Sequence, residues 1–170
     1  MSEVLRVLAV DPALRNTGYA VLQSDGRTIS ALTYGVVQNH AKLSHAGCLL
    51  AIRDKLSEVI KEFNPVECAI ESTIYVQSYK TAITLGSVRG AVLIAAAEHG
   101  LIVHDYAPRE VKQAAVGRGG ASKEQVAFMV RSMLRLRETP PADAADALAV
   151  GLAHLQANSG ATALISARRR

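Results

Sequence analysis

Residues Val4 to Val10 read Val-Leu-Arg-Val-Leu-Ala-Val, apolar at every position but one and therefore on both faces of any strand they form. Such a strand is stable only where both faces are covered, which calls for a central place in a sheet with helices packed on either side. The run ends at Asp11-Pro12. Between Asp11 and Gly18 the turn formers Pro12, Asn16 and Gly18 lead into Tyr19 to Gln23, predicting a hairpin, with a third strand around Leu32 to Gln38.

The remaining chain alternates helical and strand signals. Leu49, Ile52, Leu56, Val59, Ile60 and Phe63 recur at helical spacing from His45 to Phe63, and Asn64-Pro65 stops that helix. Val66 to Ile70 predicts a buried strand ending at Glu71. A long helix follows from about Tyr79 to His99, then a strand Leu101 to Tyr106 and a short helix opening near Pro108. Gly117 to Gly120 breaks the pattern. Ser122 and Gln125 have the spacing of a capping box and open a helix to about Leu136, and Pro140-Pro141 precede a final helix through Leu155. Residues 158–170 read as a flexible basic tail, leaving residues 1–157 as one domain. The order of elements defines an α/β fold with a mixed central sheet and helices on both faces.

Size narrows the alternatives. A chain of 170 residues that is 49% hydrophobic and 20% charged holds one substantial core. It is too short for the two facing domains of actin-like and sugar-kinase-like phosphotransferases, although Asp11 to Gly18 is similar to their first phosphate loop. The longest wholly apolar run, Ala91 to Ala97, is far below the roughly 20 residues of a membrane span, and the N-terminus has no signal pattern, so a soluble cytoplasmic protein without a membrane partner is expected. Cys48 and Cys68 have no paired spacing and read as reduced, buried small residues, and the five histidines show no metal spacing. Arg168, Arg169 and Arg170 supply three of the four net positive charges. Arg109 to Arg137 nevertheless holds seven basic residues against Glu110 and Glu124, which suits either a polyanion or an ordinary solvated helix face.

The acids carry the chemistry. Asp11 and Glu71 each close an apolar strand, and the crevice beyond strand carboxyl ends is where open α/β sheets bind ligands. Asp143 and Asp146 are three residues apart in an alanine-rich helical stretch, about 300° of rotation, so they share one face. Two like charges on an otherwise apolar helix face are unfavourable unless a cation or proton neutralises them. Taken singly, each acid also has an ordinary structural use in a turn, an ion pair or a helix N-terminus. Taken jointly, four oxygen donors without His or Cys favour a hard cation, Mg²⁺ or Mn²⁺, in the arrangement of a two-metal nuclease.

Asp11-Pro12-Ala13-Leu14-Arg15-Asn16-Thr17-Gly18-Tyr19, Ala69-Ile70-Glu71, Leu85-Gly86-Ser87-Val88-Arg89-Gly90, Arg109-Glu110-Val111-Lys112-Gln113 and Ala142-Asp143-Ala144-Ala145-Asp146-Ala147-Leu148-Ala149 together resemble the RuvC family of bacterial Holliday junction resolvases, in order and spacing, over about Val4 to Leu155. The resemblance implies a ribonuclease-H-like fold and a homodimer. It also implies symmetric nicking of four-way DNA junctions with Mg²⁺, two ions per site and Mn²⁺ able to substitute, beside the RuvA and RuvB branch-migration proteins. Asp11, Glu71, Asp143 and Asp146 match the family's catalytic acids, and Lys112 and Lys123 its active-site lysines.

Two positions depart from the family pattern. Ala13 replaces the usual glycine after Asp-Pro, and Ile74 stands where the family carries a junction-stacking aromatic, with Tyr75 the nearest substitute. Tyr75, Tyr79 and Lys80 suit stacking on unpaired bases beside phosphate contacts, or packing on a helix start. Arg89, Lys112, Arg118 and Lys123 complete the expected DNA contacts. Gly86 and Gly90 read as close-packing positions, suited to the dimer contact, and Val88 to Ala97, rich in small residues, as either a self-complementary dimer contact or the buried face of a core helix.

Overall fold

The computed structural model describes residues 4–72, 76 and 78–168, with side chains as far as residue 158. Five strands form one sheet in the order β3-β2-β1-β4-β5. They are β1 (Leu5–Asp11), β2 (Asn16–Ser24), β3 (Ile29–Gln38), β4 (Glu67–Glu71) and β5 (Ile102–Tyr106). The first three pair antiparallel, whereas β4 lies parallel to β1 and β5 parallel to β4. Among the described residues five helices, α1 (His45–Phe63), α2 (Tyr79–Glu98), α3 (Pro108–Val116), α4 (Lys123–Met133) and α5 (Ala142–Arg168), accompany it.

The apolar run in β1 is explained by its place. Leu8 and Val10 face one core with Ile52 and Leu56 of α1 and Val88 and Val92 of α2. Val7 and Ala9 face another with Leu148 and Leu152 of α5, Val111 of α3 and Val126 and Val130 of α4. Val7 through Val10 are fully buried. Each such aliphatic side chain removed from water contributes about 2 kcal/mol, so two-sided burial makes β1 the anchor of the sheet.

Local signals set the helix ends. The Ser44 side chain accepts a hydrogen bond from Gly47 N at the start of α1, and Asn64 in the left-handed region ends it before Pro65. At α4 the capping box forms as expected: Ser122 Oγ accepts from Gln125 N at 3.2 Å, and Gln125 Oε1 accepts from Ser122 N at 3.0 Å. That helix stops at Met133, short of Leu136, because Arg135 turns left-handed with φ 53° and Leu136 N bonds back to Arg131 O at 3.0 Å.

One boundary changes and two readings are narrowed. The backbone of α5 continues as helix to Arg168, past Leu155 and through the stretch read as a flexible tail; Ala161, Ala163, Leu164 and Ala167 are strong helix formers with no proline among them. Gly86 and Gly90 are not close-packing positions within the chain, since nothing lies within 4 Å of a Cβ built on either. The small-residue face of α2 is core: Val88, Ala91, Val92, Ala95 and Ala96 are buried in this chain's own interior. What α2 leaves exposed is a different face, carrying Ile83 at 72% and Ile94 at 55% exposure. By length and composition α2 is apolar enough to span a membrane, and five of its residues, Val88, Ala91, Val92, Ala95 and Ala96, are buried in the core. Both cysteines are free and buried, and burial pushes the Cys68 thiol up to about 12.

Two contacts bring α5 down onto the sheet. A Cβ on Gly151 would lie 2.4 Å from Leu22 Cδ1 and 3.1 Å from Ala9 Cβ, and one on Gly18 would lie 1.9 Å from Asp143 O. The alanines of α5 act in the same sense, because small side chains let a helix axis approach a sheet closely.

Candidate active site

Parallel pairing of β1 with β4 in the register Val10 with Ile70 makes the next residues, Asp11 and Glu71, leave the sheet side by side. Strand alternation then decides their direction. Asp11 shares a face with Val7 and Ala9, and Glu71 with Ala69, which is the face covered by α3, α4 and α5. The first turns of α5 arrive over the same edge, because Gly18, the register partner of Asp11 in β2, leaves room for the Asp143 carbonyl.

The result is a small cavity lined by Asp11, Glu71, Lys112, Lys123 and Asp146 and walled by Pro108, Val111, Val126 and Ala149. Lys123 Nζ donates to Asp146 Oδ2 at 3.1 Å, and that bond raises the lysine's proton affinity. Asp143 stands outside the lining, yet its charge still acts on Asp11. Burial, then the charges of Glu71 and Asp146, raise the Asp11 carboxyl from 3.8 to about 7, against the opposing pull of Lys123. Glu71 is raised as well, by burial and then by Asp146, with Lys123 and Lys112 opposing. Three carboxylates thus crowd against two lysines in a partly desolvated pocket, with the charge of Asp143 acting from just outside it. Oxygen donors in surplus over cationic side chains fit a hard divalent cation, and the raised affinity of Asp11 for a proton is the expected signature of that surplus.

The other sequence-predicted contacts lie at varying distance from this centre. Arg89 is held by a two-pronged pair with Asp105, its Nη2 at 3.0 Å from Oδ2, beside a groove that Pro12, Glu71 and Ser72 also line. Tyr79 is 91% exposed, and Lys80 and Arg118 are exposed too. Ile74 and Tyr75 lie outside the described residues. The basic stretch Arg109 to Arg137 is divided: Lys112 and Lys123 turn into the cavity, whereas Arg131 donates to the Arg137 carbonyl at 3.1 Å and closes its own loop. Ala13 is accommodated because its φ is not positive, and Asn39 Nδ2 steadies the following carbonyl of Leu14 at 2.8 Å.

Sequence reasoning missed the apolar wall and the part played by Gly18. The wall residues are helical core positions like any other, and a glycine near a turn gives no sign that a helix eight elements further along the chain will rest on it.

A mixed five-stranded sheet with helices on both faces and acids at the ends of β1, β4 and the start of α5 defines a hydrolytic nuclease of the ribonuclease-H-like class. Comparison with known proteins narrows this. The family described as crossover junction endodeoxyribonuclease RuvC matches residues 7–154. A crossover junction endodeoxyribonuclease RuvC of Akkermansia muciniphila is 57% identical over 151 residues, covering 89% of this chain and 90% of that protein. The solved Thermus thermophilus RuvC in complex with Holliday junction substrate superposes with a TM-score of 0.87 at 35% identity, over 93% of this chain and 97% of that one. The yeast mitochondrial Holliday junction resolvase shares the fold, with a TM-score of 0.59 at 12% identity over 88% of this chain and 78% of that one. The chain belongs to the RuvC family of crossover junction endodeoxyribonucleases.

Proposed function

We propose that this chain resolves four-way DNA junctions at the Asp11 cavity, hydrolysing one phosphodiester in each of two opposed strands to leave 5′-phosphate and 3′-hydroxyl ends. The observation that carries the reading is the convergence of Asp11, Glu71 and Asp146 around one cavity with Asp143 one turn away, in a chain otherwise built like RuvC. Asp11, Glu71, Asp143 and Asp146 are the residues to hold the cations, Mg²⁺ by preference and Mn²⁺ as a substitute, two per site. Bound there, such ions supply an activated water and stabilise the departing oxygen.

The chain's own groups do the rest. Asp11, on the central strand and coupled to Glu71, Asp146 and Asp143, is the ligand best placed to be shared. Lys123 and Lys112, which line the same cavity, offer positive charge to the scissile phosphate. Tyr79, Lys80, Arg89 and Arg118 contact the flanking DNA, Arg89 in a direction preset by Asp105. Tyr75 takes the stacking role that Ile74 lacks. Residues 1–157 suffice for the nuclease domain.

A homodimer gives one centre to each of the two strands cut. Its contact is the exposed face of α2, where Ile83 and Ile94 flank Gly86 and Gly90, whose missing side chains leave the helix backbone open to a second helix. The enzyme works in the cytoplasm beside RuvA and RuvB. The deciding experiment is incubation with a labelled synthetic four-way junction and a matched linear duplex, with and without Mg²⁺. Paired symmetric nicks in the junction alone, dependent on the ion, are expected. Equal cutting of duplex and junction overturns the reading.

A further inference from the structure

A second set of metal-competent donors lies on the same face of the sheet as the carboxylate cavity but well away from it. Glu67 and Glu71 share one face of β4, four residues and roughly 13 Å apart. Ala69 pairs with His104 and Glu71 with Tyr106, so both β5 side chains share that face. Along α5, His154 follows Asp146 by eight residues, roughly 12 Å of helix. The two displacements are alike. Helix and strand therefore oppose each other twice, at Asp146 with Glu71 and again at His154 with Glu67.

At the second crossing His154 is fully buried, its Nε2 hydrogen-bonded to Glu67 Oε2. His104 Nε2 lies 3.9 Å from the same oxygen, is itself buried, and has no hydrogen-bond partner among the described residues. The two rings stand 4.8 Å apart, and the three donor atoms all fall within 4.8 Å of one another. No lysine or arginine among the described residues forms an ion pair with Glu67. Asn158 Nδ2 also lies 3.4 Å from Glu67 Oε2 and 3.1 Å from His154 Nε2, but it leaves the buried His104 nitrogen idle, and a carboxylate facing two imidazoles is the donor set of a transition-metal site.

We propose that Glu67, His104 and His154 bind a transition-metal dication, zinc by their ligand chemistry, at a site separate from the four carboxylates. Two imidazoles and one carboxylate suit zinc and leave a fourth position for water, whereas Mg²⁺ takes oxygen donors. Zinc 2.0 to 2.1 Å from each donor needs them roughly 3.3 Å apart, so the donors, now within 4.8 Å of one another, must draw together around the ion, the His104 ring moving in from 3.9 Å. The supporting group is present: His154 Nδ1 lies 2.8 Å from Tyr106 Oη, so with Nε2 on the metal the Nδ1–H donates to the tyrosine oxygen and fixes the ring. The His104 ring is partly exposed although its Nε2 is buried, so the site lies just beneath the surface. The sequence reading found no metal spacing among the histidines because these two are fifty residues apart, on elements that meet only in the folded sheet. A metal here would tie the edge strand β5 and its neighbour β4 to the helix that carries Asp143 and Asp146.

The test uses the full chain stripped of metal and then held in excess Mg²⁺, so that any oxygen-ligand centre is occupied. Zinc titrated against a chromophoric chelator should bind one per chain and raise Tm, and Co²⁺ in its place should give the intense visible bands of four-coordinate nitrogen and oxygen ligation. His104→Gln, on a partly exposed strand residue, should keep the circular dichroism of the native chain and lose both signals. Tyr106→Phe should weaken zinc roughly tenfold or more by freeing the His154 ring. No zinc uptake at micromolar concentration, or uptake unchanged in His104→Gln, overturns the proposal. Neither outcome bears on the carboxylate centre, which junction cleavage reports independently.

Discussion

Gly18 lies against the backbone carbonyl of Asp143 so closely that a Cβ on the glycine would stand 1.9 Å from that oxygen. Since Gly18 is also the β2 partner of Asp11, this contact sets the height of the first turn of α5 above the carboxylate of the central strand. Gly18→Ala should push that turn outward, costing about 1 to 3 kcal/mol of stability. Cleavage should drop roughly 100-fold, as expected for an ångström-scale displacement of catalytic groups. Single-turnover cleavage beside thermal melts checks this; a variant that loses stability but cleaves at the native rate would show that α5 positions nothing.

Asp146→Asn should abolish cleavage and leave junction binding intact or tighter. It removes a cavity carboxylate and releases Lys123, now held at 3.1 Å, toward phosphate. A gel shift and a cleavage assay on one labelled junction measure both. Binding by native and variant protein should weaken steeply with salt, because lysine and arginine contacts release counterions from the DNA backbone. Near-normal nicking by the variant removes Asp146 from the site.

The Asp11 carboxyl, raised from 3.8 to about 7 chiefly by burial, predicts how metal-free stability responds to pH. Folding favours the protonated form, so this stabilising contribution is complete below 3.8 and is lost as pH rises through about 7. The metal-free protein should therefore melt lower at pH 8 than at pH 5.5 beyond what its other groups cause, and Asp11→Asn should flatten that difference. Millimolar Mg²⁺ at pH 8 should raise Tm in the native chain, since an ion bound only by the folded state stabilises it. Calorimetry across pH, with and without the ion, measures all three.

Ile83→Asp or Ile94→Asp should give folded monomers that cut one strand of a junction without coordinating the second cut. Both side chains are largely exposed in the single chain, so charge there leaves the fold alone. Ala95→Asp should instead unfold the protein, because Ala95 is fully buried and an unpaired carboxylate has no partner in that core. Sedimentation velocity and circular dichroism separate the two effects. A native chain that sediments as a monomer while making paired cuts contradicts the α2 contact.

Much of this was legible before folding. The apolar stretch of β1, the turn at Asp11 to Gly18, the caps at Ser122 and Asn64 and the Asp143/Asp146 face each follow from a few neighbouring residues, because strand alternation, helical periodicity and capping are local effects. The α4 boundary was read too long, since Leu136 continues the apolar pattern while the left-handed Arg135 leaves no mark in it. The small residues of α2 fitted both a core and an interface, and only the position of α1 decides that Ala95 and Ala96 face inward while Ile83 and Ile94 do not.

The sequence by itself singled out the candidates for the chemistry, acids closing two apolar strands and an acid pair on one helix face, together with an order of motifs that points to the family. The tertiary structure alone decided which of them meet. Asp11 and Glu71 converge because β4 pairs parallel with β1 in one register, Asp146 joins them because Gly18 and Gly151 let α5 settle on the sheet, and Glu67, His104 and His154 meet as a by-product of the same crossing. Contacts of this kind depend on strand register and helix height, which are set by the summed packing of the whole core and not by any short run of residues.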